Sequence, residues 1–283
     1  YPLPEGIPPV DLLFRLDPVA AVVSFVASRS MVSRLLLAAL LLGLTLLVGR
    51  AFCGWICPMG TAIDFWRRLV LRPKEEKRQG PDWRRVKYYL LFAILAGSLL
   101  GFSLIWPLNP FGLLTRFLTL TLYPFLLMLA NLSLGLLAIL GERLDWLFLS
   151  QFALPQLAYG AALTALVLFL GILSLDLLQP RFWCRNLCPL GAALGIVSRA
   201  GLFSRRVSGC IDCGKCPDAC PAGAIPDEPR DTVRSECIQC LACADICPAD
   251  AISFNLTRPS IGPGLDLTRR RLILSVGAGI VTA

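Results

Sequence analysis

Apolar residues in this chain come in long runs, and polar residues collect in the gaps between them. Residues 35–52 are leucine-rich and bounded by Arg34 and Arg50, which predicts a short membrane-crossing helix with arginines reaching the lipid–water boundary. Residues 88–106 predict a second crossing and 157–178 another. Residues 117–140 are also long and apolar, but contain Pro124, Asn131 and Gly135. Residues 1–30 hold too many prolines and charges to cross. Within them, 10–30 read as a short amphipathic surface helix entered at Asp17-Pro18, since proline suits a first helical turn.

The polar gaps orient these runs. Residues 67–87 carry nine Lys/Arg against three acids, and 181–206 carry five arginines and no acid. The positive-inside rule puts both segments on the cytoplasmic side. Three full crossings between 87 and 178 would put residue 184 outside, so one run is expected not to cross. The expected one is 117–140, as a kinked, re-entrant or outward-surface helix; if it does cross, everything after it changes sides. Residues 258–271 are basic and 272–283 open a further apolar run. There, Thr268-Arg-Arg-Arg-Leu-Ile-Leu resembles a twin-arginine export signal, and reads equally as an inside-anchored final span. The chain starts at Tyr1 and stops within that apolar run, which reads as a piece of a longer protein.

Composition agrees with this class: 56% of the residues are hydrophobic and 16% charged. The formal charge is +8, yet residues 209–252 carry eight acids and three bases, so the basic excess lies elsewhere. Membrane orientation explains that excess better than nucleic acid does. Histidine is absent. That excludes histidine-ligated haem, Rieske centres and histidine metal sites, leaving the 12 cysteines to hold any redox centre.

Eight of those cysteines form two runs, C-x2-C-x2-C-x3-C-P, offset by 27 residues: Cys210/Cys237, Cys213/Cys240, Cys216/Cys243 and Cys220/Cys247. This is the bacterial ferredoxin spacing, in which three cysteines wrap one cluster and the fourth ligates the other. The expected ligand sets are Cys210, Cys213, Cys216 and Cys247 for one [4Fe-4S] cluster, and Cys237, Cys240, Cys243 and Cys220 for the second. Zinc is the alternative for paired C-x2-C, but does not call for a triple run ending in Cys-Pro. Disulfides are disfavoured on a reducing cytoplasmic face.

The four remaining cysteines lie in a longer repeat. Asp17-Pro18 and Asn109-Pro110 each open a short helix, followed by a span and then by Phe52-Cys53-x3-Cys57-Pro58 or Trp183-Cys184-x3-Cys188-Pro189. Such parallel repeats are related by an axis along the membrane normal, which would bring both C-x3-C-P motifs to the cytoplasmic rim. The prolines place Cys57 and Cys188 at helix N-termini, where the helix dipole favours thiolate. Cys53, Cys57, Cys184 and Cys188 are expected to hold a third iron–sulfur centre jointly; a redox-active thiol pair and plain helix packing are the alternatives. Trp55, Trp66, Trp83, Trp106 and Trp183 read as an interfacial belt. Asp176 reads as paired with Arg181, or as marking a proton or quinone path.

With the two C-x3-C-P motifs and the double ferredoxin run, residues 10–255 resemble the NapH/NosR-type membrane polyferredoxins. The resemblance implies electron passage between the quinone pool or cytoplasmic donors and partner redox proteins. The expected fold is an α-helical integral membrane protein with two parallel membrane repeats (1–206) and a small α+β dicluster ferredoxin-like domain (207–257). A basic linker and the start of an apolar segment (258–283) follow. The chain as given lacks the flavin-bearing extracytoplasmic domain of NosR. No acid–base pair or phosphate loop suggests a substrate pocket. A CcoG-like metal-reducing maturation factor and a redox-sensing regulator are the competing readings; copper handling is weakened by there being only Met31, Met59 and Met128.

Overall fold

A computed structural model describes residues 16–28, 35–70, 83–101, 105, 108–142 and 160–256. They fall in two compact units, one of residues 1–111 and 174–283, the other of residues 112–173.

The first unit opens with α1 (Pro18–Ser28). Asp17 caps it, its Oδ1 accepting the Val19 and Ala20 amides at 2.9 and 3.2 Å, as an N-cap aspartate should. Helix α2 (Leu35–Val48) stops at Gly49, whose φ of +80° only glycine adopts without strain. The expected crossing at 35–52 is therefore broken. After α3 (Ala51–Trp55) and α4 (Pro58–Val70), the chain from Ala51 onward runs at 96° to α2. Helix α5 (Arg84–Leu99) covers part of the 88–106 run and starts four residues earlier.

Helix α6 (Pro110–Phe117), whose first two residues belong to the first unit, is continuous with a π-helical turn (Leu118–Leu122) and α7 (Tyr123–Glu142) of the second. Pro110–Leu136 is the one unbroken helix among the described residues long and apolar enough to cross a membrane, and none of its most apolar window is buried. The run expected not to cross is thus the one best built to do so. A kinked, re-entrant or outward-surface helix was expected; instead a π turn stands just before Pro124 and the helix continues through it. Helix α8 (Ala162–Ser174) follows, its first turn meeting the π turn through Thr121 Oγ1, which donates to Ala162 O at 3.0 Å. The Phe117 and Phe169 rings stack at 4.1 Å.

Back in the first unit come a 3-10 turn (Leu175–Leu177), a second π turn (Trp183–Leu187) and α9 (Pro189–Ser198). Helix α9 packs on α1, α2 and α5. Strand β1 (Phe203–Val207) pairs antiparallel with β2 (Ile252–Leu256) along its full length, Phe203 opposite Leu256 and Val207 opposite Ile252. Between them lie α10 (Lys215–Ala219) and α11 (Ala242–Asp245), which pack together. This two-stranded, two-helix unit matches the expected α+β segment, with β1 reaching back before residue 207. The expected features at 71–82 and 258–283 lie outside the described residues.

Candidate iron–sulfur centres

The two cysteine runs fold alike because the same backbone positions turn left-handed in each copy. Asp212 and Gln239 both have φ +52°, Gly214 and Leu241 have +71° and +64°, and Gly223 and Asp250 have +60° and +45°. These turns curl each run so that successive sulfurs face inward. The fourth cysteine of each run accepts a backbone amide at the same place, Ala224 N–H to Cys220 Sγ at 3.2 Å and Ala251 N–H to Cys247 Sγ at 3.4 Å.

Two cavities result. One, with about 290 Å³ of atom-free space, is lined by Cys210, Cys213, Cys216 and Cys247. The other, with about 320 Å³, is lined by Cys220, Cys237, Cys240 and Cys243 with Ile225, Ile238 and Phe254. Each thus gathers three cysteines of one run and the last of the other.

A third cavity, with about 270 Å³ of atom-free space, lies where the ferredoxin-like segment meets the helices. Cys53 and Cys184 line it with Arg50, Arg181, Glu236 and Ile238. Cys57 and Cys188 are buried, and each lies within electrostatic reach of both Cys53 and Cys184. All four cysteines of the C-x3-C-P motifs therefore come together, and Ile238 is a wall shared with the second cavity. Cys188 caps α9, its Sγ accepting the Gly191 amide at 3.3 Å. The dipole expectation is nonetheless outweighed. Burial pushes the Cys188 thiol well up, and the Cys184 thiol up to about 11 although Arg181 and Arg50 pull the other way. Burial likewise holds Cys237 up at about 12. An occupant of these cavities must displace protons to bind.

Arg50 and Arg181 each stand three residues before the first cysteine of their motif, and each reaches across to the other. Arg50 Nη2 sits 3.0 Å from where a Cβ on Gly191 would be, and Arg181 Nη1 lies 3.9 Å from the same point on Gly60. Arg181 donates to Cys53 O at 3.2 Å, and to both oxygens of Asp64, 3.0 Å from Oδ1. Arg50 donates to Ser235 O at 2.6 Å and to Glu236 Oε2 at 3.5 Å. Lys87 and Tyr88 also donate to that carboxylate. Burial alone would raise Glu236, but Lys87 and Arg50 hold it below the usual carboxylate range; burial lowers Lys87 to about 8. Two buried cations thus share one carboxylate at the edge of a cavity of thiols, and an anionic occupant would balance the excess.

The donor set fits iron–sulfur clusters. The four candidate ligands of each ferredoxin cavity are all thiols, the donors that iron–sulfur clusters take.

Sequence reading did not single out Arg50, Asp64, Lys87, Gly54 or Glu236 for this site. The repeat alignment of Arg50 with Arg181 carried a signal; the partners do not, being far away in sequence. Asp176 accepts the Arg181 backbone amide, but its side-chain ion partner is Arg67, at 3.2 Å. Trp183 is buried, and Trp55 donates to Gln239 O at 2.9 Å, so neither behaves as a simple interfacial residue.

Comparison with known proteins points the same way. Residues 31–78 and again 161–209 match a family described as a 4Fe-4S binding domain, and 202–248 match a 4Fe-4S dicluster domain. The methylamine utilization ferredoxin-type protein MauN of Methylorubrum extorquens is 30% identical over 213 residues, 72% of this chain and 59% of that protein. The ferredoxin-type protein NapH of Escherichia coli is 27% identical over 173 residues, 60% of this chain and 45% of that protein. The chain is a relative of these ferredoxin-type proteins, and its 4Fe-4S family domains are consistent with a NapH-type polyferredoxin. The putative electron transport protein YccM of Escherichia coli is 30% identical to this polyferredoxin over 198 residues, 63% of the chain and 43% of YccM. The polyferredoxin thus spans about half the length of these relatives. No solved structure matches it. The first family falls once on each C-x3-C-P motif, so the two matches coincide with the internal repeat.

Proposed function

We propose that this polyferredoxin is a membrane-bound electron-transfer subunit of a quinol dehydrogenase-like complex, linking the quinone pool to a partner redox protein. Cys210, Cys213, Cys216 and Cys247 hold one [4Fe-4S] cluster, and Cys237, Cys240, Cys243 and Cys220 the second. Cys53, Cys57, Cys184 and Cys188 hold a third iron–sulfur centre. When bound, such clusters supply one-electron exchange without group transfer. The chain's residues supply the rest: twelve thiolates, an Ile238 wall between adjacent sites, and buried arginines that favour the anionic state at the third.

The observation that carries this reading is the two four-cysteine cavities together with a third cavity lined by Cys53 and Cys184, one from each C-x3-C-P motif, which shares the Ile238 wall with the second. Membrane placement is supported by the apolar surface. Leu36, Leu40 and the outward face of α7 expose large side chains that water would disfavour and lipid tails would cover. The broken pair α2 and α3–α4 suits a re-entrant or interrupted span. The basic segments 67–87 and 181–206 put the ferredoxin-like segment on the cytoplasmic side of a prokaryotic inner membrane; with Pro110–Leu136 crossing, this reading requires that one of the shorter helices α5 and α8 does not cross. The parallel-repeat arrangement is supported by repeat-equivalent residues meeting: Asn109 Nδ2 donates to Asp17 Oδ2 at 2.9 Å, and Arg50 and Arg181 cross over. A copper-handling role is disfavoured by Met59, which is fully buried. Anaerobic mixing of the purified protein with a short-chain menaquinol should bleach cluster absorbance at rates compatible with turnover. Clusters that are present but reduced only slowly would instead favour a sensor.

A further inference from the structure

The two ferredoxin runs are copies, yet the structure treats one equivalent loop of each differently. In the second copy, Cys237-Ile238-Gln239-Cys240 is covered. Ile238 is 4% exposed, a Cβ on Gly54 would come 2.4 Å from its carbonyl oxygen, and the Trp55 indole donates to Gln239 O. The C-x3-C turn of the first motif thus docks on this loop. In the first copy, Cys210-Ile211-Asp212-Cys213 makes the same left-handed turn, but Ile211 is 63% exposed and the run from Ile211 to Lys215 is exposed throughout. A large apolar side chain stands out on a fixed turn, at the mouth of a four-cysteine cavity. The shape that receives a neighbour in one copy is bare in the other.

The surroundings state the charge of what would cover it. Asp212, Asp218, Asp245 and Asp250 are exposed on the segments flanking the cavity, against the exposed bases Lys215 and Arg230. Arg230 pairs with Asp212 at 2.7 Å, with both side chains more than half exposed. Such a pair contributes little and can be exchanged for a partner's base.

We propose that the Ile211 loop is the docking port for a separate redox protein that presents an apolar patch to Ile211 inside a cationic rim facing Asp212, Asp218 and Asp250. This rests on reading Cys210, Cys213, Cys216 and Cys247 as cluster ligands. At the port one electron passes; the protein that gives it is oxidised by one unit and the other reduced by one, with no bond or proton moved. The face at Ile238, already occupied by Gly54 and Trp55, is the inward connection, so the two copies serve opposite ends of the relay.

The test is a calorimetric titration of the full chain, in non-ionic detergent micelles at low salt, with ferric cytochrome c as a cationic redox-protein probe. Iron and acid-labile sulfide are assayed on every sample. The wild type should bind, with affinity falling as salt is added. Asp212→Lys should weaken binding about tenfold or more, because a reversed rim charge repels the probe. Ile211→Ser should weaken it several-fold with the salt dependence unchanged. Failure of the cluster-loaded wild type to bind, or equal affinity in wild type and both variants, would overturn the port. A wild type without iron and sulfide would instead overturn the underlying cluster reading, whatever the titration shows.

Discussion

Two single positions show how this molecule uses residues that a motif search passes over. Gly54 sits in the first C-x3-C turn against the Ile238 carbonyl, where a methyl group has nowhere to go because both neighbours are backbone. Gly54→Ala should cost about 1–3 kcal/mol, as overpacking does, and reduce iron at the third centre. Gly43→Ala, in α2 with nothing within 4 Å of the added carbon, should be neutral or stabilise by about 0.5–1 kcal/mol. Thermal unfolding and iron assays on the pair check this; equal behaviour would remove the close approach from the account. Asp17 is the second position. Burial raises its carboxyl to about 6, against the hydrogen bonds from Ala20, Val19 and Asn109. Below about pH 4 the carboxyl is protonated in both folded and unfolded chains. Between about pH 4 and 6 the unfolded chain ionises first, so stability falls as pH rises, by up to about 3 kcal/mol. Asp17→Asn keeps the cap but does not titrate. Its gain in unfolding temperature over wild type should grow from about pH 5 to pH 7.5; a pH-independent difference would contradict the assignment. That Asp17 and Asn109 open equivalent helices was legible from the Asp-Pro and Asn-Pro pairs. That they bond to each other was not, because the contact joins side chains 92 positions apart.

At the scale of elements, the cysteine runs were the most legible part, because ligand spacing is local and the loop geometry follows from it. The β1–β2 pairing and the α10 and α11 turns follow from the same segment. Helix ends were less legible. An apolar run of about 18 residues gives no sign that α2 stops at Gly49, since the reason is Gln239, whose Nε2 lies 2.6 Å from where a Cβ on that glycine would sit. The parity argument from loop charges and the length of Pro110–Leu136 point in opposite directions, and the unburied surface of that helix sides with a crossing. Cysteines introduced at Leu126, Leu129 and Leu132, all exposed in the structure, should resist a membrane-impermeant maleimide in intact vesicles and react after denaturation. Rapid labelling in intact vesicles would place the helix in water.

Over the whole molecule, the two repeats meet where neither is complete alone. The C-x3-C-P motifs line the cavity with Cys53, Cys184, Arg50, Arg181 and Arg185, Cys57 and Cys188 are buried next to them, and the ferredoxin-like segment closes it with Glu236, Ala222 and Ile238. Arg185, the repeat counterpart of Gly54, lies over Gly223 of the same segment, so both motifs hold it in place. The central claim is that these four cysteines carry a centre of their own. The direct test is iron and acid-labile sulfide per chain on anaerobically purified protein, beside a variant with Cys53, Cys57, Cys184 and Cys188 changed to serine. The account predicts about ten to twelve irons in the wild type, falling to about eight in the variant as only the two ferredoxin clusters remain. About eight irons in both would contradict it, and would leave those cysteines to thiol chemistry or packing.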